Sequence, residues 1–135
     1  MKRLAFERSA EFDTLAIQLI KDVYKVLCKQ EKVRYHLNTA LLVEILQKDI
    51  KSRSDVTQFD LVEHRGANII AFLFKKRPFG SLNDEMTFAI AESYLEANGK
   101  VLDNSKRSAI AKILKTYRNE PAEEIAGKIK RLIIS

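Results

Sequence analysis

The stretch KKRPFGSLNDEMTFAIAESYLEANGKVLD, Lys75 to Asp103, decides how the chain is read. Pro78 disfavours helical geometry at Arg77, so any helix arriving from upstream must end there. A second helix begins near Asn83 and carries Met86, Phe88, Ala89, Ile90, Tyr94 and Leu95. Asn98-Gly99 then offers the left-handed cap that commonly terminates helices. Upstream, GANIIAFLF is apolar on nearly every side, as expected of a helix surrounded by other helices. The stretch is therefore a tight loop between a central buried helix and a second packed one.

Working outward, residues 9 to 31 set Phe12, Leu15, Ala16, Leu19, Ile20, Val23 and Leu27 at helical spacing on one stripe. A short helix from about Asn38 turns Leu41, Leu42, Ile45 and Leu46 inward, and KDIKSRSDVTQ reads as a mobile loop. The apolar pattern resumes at Phe59. Beyond Asp103, residues 105 to 117 repeat Ile110, Ile113 and Leu114 at helical spacing. A last helix follows NEP, with Pro121 in its first turn and Ile125, Ile129 and Leu132 as its stripe. With 4 Gly and 2 Pro in 135 residues there is little turn chemistry for a many-stranded sheet. The expectation is an all-α, single-domain helical bundle over residues 1–135, built around the central helix.

The net charge of +6 permits attraction to nucleic acid or to an acidic partner. Basic and acidic residues interleave in KDVYKVLCKQEKVR, the pattern of a solvated helix face. Cys28 is the only cysteine and sits among Val23, Tyr24, Val26 and Leu27, which suits a small buried hydrophobe. The first thirteen residues, MKRLAFERSAEFD, meet Glu7, Arg8, Glu11 and Asp13 before an apolar run of signal-peptide length forms. No later run is long enough to span a bilayer, so a cytoplasmic protein without membrane contact is expected.

Over RPFGSLNDEMTFAIAESYLEANGKVLD the chain resembles the Fic/Doc (Fido) family, its Doc or death-on-curing type in particular. The signature loop of that family reads approximately H-P-F-x-D-G-N-K-R and runs into a helix ending near F-L-E-x-N-G-x-x-L-D. Pro78, Phe79, Asn83, Tyr94, Leu95, Glu96, Asn98, Gly99, Leu102 and Asp103 match without a gap. The likeness is clearest over residues 63–132. It implies a Fido-like bundle whose loop binds nucleotide phosphates and transfers AMP, or in Doc a phosphate, to a protein hydroxyl.

That chemistry needs a general base, a carboxylate for magnesium, and cations for phosphate charge. The histidine position is Arg77, which cannot accept a proton. The carboxylate position is Ser81, the glycine position is Leu82, and only Asn83 is kept, the one candidate cofactor ligand. The two basic positions are Asp84 and Glu85. One close like-charge pair costs ~1 kcal/mol in water and more when partly desolvated, so the site is degenerate. Ser81 or Asn83 at the cap, with Asp84 and Glu85 in the first turn, would satisfy the helix end from within.

The reading is of a pseudoenzyme that binds a protein partner, in a toxin-antitoxin or host-interaction system, and needs no cofactor or metal. One alternative is a rewired transferase, with Arg77 on an anionic substrate and Asp84 or Glu85 as base or metal ligand; only this alternative calls for ATP with magnesium. Another is nucleic-acid binding through Lys128, Lys130 and Arg131 on the last helix, against which stand Glu123 and Glu124. His64 points away from Arg77 on the same predicted helix, and His36 lies in an unrelated segment.

Overall fold

The computed structural model describes residues 12–49 and 58–134, and all regular structure among them is helical. Six helices follow in order: α1 Thr14–Glu31, α2 Thr39–Val43, α3 Gln58–Lys76, α4 Asn83–Ala97, α5 Asn104–Thr116 and α6 Ala122–Ile134. A π-helical turn, Glu44–Asp49, prolongs α2. The expected helix start at Ser9 and most of the expected mobile loop lie outside the described residues.

Helix α3 is central. It packs most heavily against α6 and α4 and also meets the π-helical turn, and Ala67, Ile69, Ile70, Ala71 and Leu73 are fully buried. This is why its middle carries apolar residues on every side. Gly66 allows a close approach of α4: a Cβ there would stand 2.6 Å from Leu95 Cδ2.

Two details of α1 differ from the expected stripe. Asp13 caps the helix, its carboxylate accepting the Ala16 N–H at 2.9 Å, so Phe12 precedes the helix. Phe12 is nevertheless buried and stacks on Tyr94 with ring centroids 5.8 Å apart. Leu15 is 80% exposed, whereas Ala16, Ile17, Ile20, Tyr24 and Cys28 form the buried face. The true stripe thus runs one position from the expected one and includes a tyrosine and the cysteine.

Other boundaries follow local chemistry. Asn38 caps α2 by accepting the Leu41 N–H. Helix α3 ends at Lys76 because Arg77, before Pro78, turns to φ +49°. Helix α4 closes in a Schellman motif: Gly99, at φ +81°, donates to Glu96 O, and Lys100 N–H reaches Leu95 O. Pro121 stands just before α6 rather than inside its first turn, its carbonyl accepting the Glu124 and Ile125 N–H groups.

Candidate functional site: the α3–α4 loop and the cleft beside it

The loop from Arg77 to Leu82 is held from three directions. From below, the buried Asn83 accepts the Phe79 N–H on Oδ1 at 3.2 Å and donates from Nδ2 to Leu73 O at 3.0 Å. From the side, the loop pairs with the segment before α2: Asn38 N–H donates to Pro78 O at 2.8 Å and Gly80 N–H to His36 O at 2.7 Å. From behind, the Tyr24 hydroxyl donates to His36 O at 3.0 Å and accepts the Ser81 N–H at 3.4 Å.

Phe79 is fully buried, its ring edge-on to Tyr24 at 4.7 Å. Gly80 lies so close to His36 that an added Cβ would be 2.6 Å from Nδ1. Burial pushes the Tyr24 phenol upward in pKa, helped by Cys28 and opposed by the Ser81 and His36 main-chain contacts.

The start of α4 corrects one expectation. The capping position is Leu82, at φ +59°, and no side chain caps the helix there. Neither Ser81 nor Asn83 does so, because Ser81 contributes its backbone to Tyr24 and Asn83 faces inward. Asp84 and Glu85 do occupy the first turn, where carboxylates favour the positive end of the helix dipole. Thr87 donates its hydroxyl to Asn83 O at 2.7 Å.

The candidate residues therefore separate. Phe79 and Asn83 are buried in the loop's own framework, Ser81 is half-buried, and Glu85 is exposed. Arg77 and Asp84 alone meet side chain to side chain, Nη1 to Oδ1 at 3.5 Å, both largely exposed. Among the described residues no three His, Cys, Asp or Glu side chains cluster as a metal would need. His64 lies on α3 beside the buried Glu63, whose carboxylate is 3.0 Å from Lys100 Nζ.

Arg77 and Asp84 stand on the wall of a cleft of about 630 Å³ between the end of α3, the start of α4 and the end of α5. Phe74, Phe88 and Leu114 give it an apolar floor, and Lys75, Arg77, Lys115 and Arg118 surround it with positive charge. Lys75 Nζ donates to Arg118 O at 2.7 Å and ties the two sides together. Arg107 lies over the outer face of Phe88, 5.1 Å from the ring centroid, and pairs with Glu92 at 3.4 Å.

Lys115 and Arg118 were not among the sequence candidates, although the sequence holds the signal. Interleaved charge holds for α1 and fails for α5. Between Asp103 and Glu120 lie Lys106, Arg107, Lys112, Lys115 and Arg118 with no acid among them, and Lys75, Lys76 and Arg77 are consecutive. Outside these eight residues the chain has 16 basic and 18 acidic side chains, so the positive balance resides in two stretches that the fold brings together.

Compared with family models, with curated proteins and with solved structures, the chain matches none.

Proposed function

We propose that this chain is a degenerate Fic/Doc-like domain, without AMP or phosphate transfer, that acts by binding another protein in a toxin-antitoxin or host-interaction setting. The observation that carries the reading is the Arg77–Asp84 pair at 3.5 Å. By the resemblance, one of these positions would hold the general base and the other a phosphate-binding cation. Here they hold opposite charges that engage each other, and Asp84 presents a carboxylate where a polyphosphate would need the reverse. Two further features support it. Asn83 is buried and bonds to main chain through both ends of its amide, so it serves the loop's own framework. Leu82 stands at the motif's glycine position and adopts a left-handed φ of +59°, the backbone a glycine takes at least cost.

The test is incubation of the protein with labelled ATP, magnesium and candidate acceptor proteins, alongside calorimetric titration with ATP. No label transfer and no ATP heat are expected. Asp84→Lys with Glu85→Arg removes the repulsive charge and is expected to restore measurable ATP binding. Reproducible transfer that Arg77→Ala or Asp84→Ala abolishes would instead establish the rewired transferase. Asn83→Ala is unsuitable as a catalytic control, because it strips the buried Phe79 N–H of its partner and removes a side-chain bond to Leu73 O.

A further inference from the structure

We infer that the cleft between α3, α4 and α5 is a docking groove for an acidic peptide segment carrying apolar side chains. The inference rests on the protein-binding half of the reading above and names the chemistry of the partner. Three observations converge on it. The walls bring Lys75, Arg77, Lys115 and Arg118 around one concavity from helix ends far apart in sequence. The basic residues there belong to the two acid-free stretches that hold the chain's positive balance. The floor is apolar, with the half-buried Phe74 offering surface above the buried Phe88 and Leu114, so the groove matches an amphipathic ligand rather than a bare anion.

Peptide is favoured over nucleic acid for two reasons. Asp84 projects into the groove, 61% exposed. A polypeptide can donate backbone N–H groups to that carboxylate, whereas the phosphodiester chain carries only negative charge past it. Phe88 is 7% exposed and already under Arg107, so it is not an open platform for stacking bases.

The experiment is fluorescence anisotropy with a labelled peptide of about twelve residues in which Glu and Asp alternate with Leu and Phe, at about 0.05 M and about 0.3 M salt. The same peptide with Gln and Asn for its acids, and a single-stranded oligothymidylate, serve as comparison probes. The acidic peptide is expected to bind and the amide peptide not. Lys115→Glu with Arg118→Glu is expected to weaken the acidic peptide at least roughly tenfold, whereas Lys130→Glu with Arg131→Glu, an equal change of net charge on α6, leaves it within about twofold. Both target side chains are exposed, and Lys115→Gln with Arg118→Gln repeats the test if the reversal unfolds the protein.

Equal weakening by the two pairs overturns the groove in favour of nonspecific attraction. Tighter binding of the oligonucleotide, lost with Lys115 and Arg118, overturns it in favour of nucleic acid. No peptide binding at low salt overturns it outright and, if label transfer is also absent, leaves the degenerate-site reading standing. Label transfer defeats that reading whatever the peptide does.

Discussion

Asn83 holds Phe79 in place through a single bond, its Oδ1 accepting the Phe79 N–H at 3.2 Å while its Nδ2 reaches back to Leu73 O at 3.0 Å. One buried amide thus joins the last turn of α3, the loop and the first turn of α4. Asn83→Ala leaves the buried Phe79 N–H unsatisfied, while Leu73 O keeps the Arg77 N–H at 3.0 Å, and is expected to lose roughly 1–3 kcal/mol of stability in urea unfolding. Asn83→Asp keeps the acceptor for Phe79 but turns a second oxygen toward Leu73 O, so it is expected to be destabilised as well. A near-neutral Asn83→Ala would show that the loop is held by its other contacts alone.

The Tyr24 hydroxyl, bonded to His36 O and approached by the Ser81 N–H, sets an alkaline limit. Burial raises its pKa above 10.0, so the folded state holds the phenolic proton more tightly than the unfolded chain. Tyr94 is raised in the same direction by burial, opposed by Arg65. The stability from both is complete below pH 10 and declines as pH rises through the folded values, because the unfolded state then releases protons first. Urea unfolding at a series of pH values from neutral to strongly alkaline checks this. Tyr24→Phe is expected to cost about 1–3 kcal/mol near neutrality and to flatten the alkaline decline. An unchanged slope in Tyr24→Phe combined with Tyr94→Phe would refute the account.

Gly66 and Leu95 meet where α3 packs on α4, with no room for a Cβ between them. Gly66→Ala is expected to cost about 1–3 kcal/mol through overpacking, despite alanine's better helix propensity. In the Leu95→Ala background the obstructing Cδ2 and Cγ atoms are gone, and the cost of Gly66→Ala is expected to vanish or change sign. A double-mutant cycle by thermal or urea unfolding measures that coupling.

Gly99 gives the complementary case. Nothing lies within 4 Å of an added Cβ, yet its φ is +81°. Gly99→Ala is therefore expected to lose about 1 kcal/mol from backbone strain alone, with no dependence on neighbouring side chains. Gly99→Asn, which tolerates the left-handed region better, is expected to recover part of that loss.

Where local chemistry is decisive, the sequence was readable. The helix start near Asn38, the stop imposed by Pro78 and the Asn98-Gly99 ending each depend on a few adjacent residues, and the all-helical class follows from periodicity and few turn residues. The burial of Cys28 agrees with its reading as a small hydrophobe, but the stripe on α1 is displaced because Tyr24 is buried by a partner remote in sequence, packing on Phe79. Periodicity weights apolar residues and cannot tell that a tyrosine has a waiting carbonyl. The capping assignment at α4 failed for a similar reason, since the amide of Asn83 looked available until its two main-chain partners were visible. The cationic cleft was missed because no single segment contains it: Lys75 and Arg118 meet only once α5 folds back to the end of α3.

The pairing of the loop with the segment around Leu37 carries a consequence for the order of assembly. The loop's braces at Tyr24, His36 and Asn38 all precede α3, and the two nearest in sequence, Asn38 and Pro78, are separated by the whole of that helix and the connection before it. The bonds of Asn83 to Phe79 and Leu73 lie within the α3–α4 stretch, but the loop gains its other two supports only when the first third of the polypeptide docks. A fragment starting at α3 would therefore carry every residue of the motif but only one of the loop's three supports, and a partner that reads this surface would favour a chain whose N-terminal portion has already folded onto it.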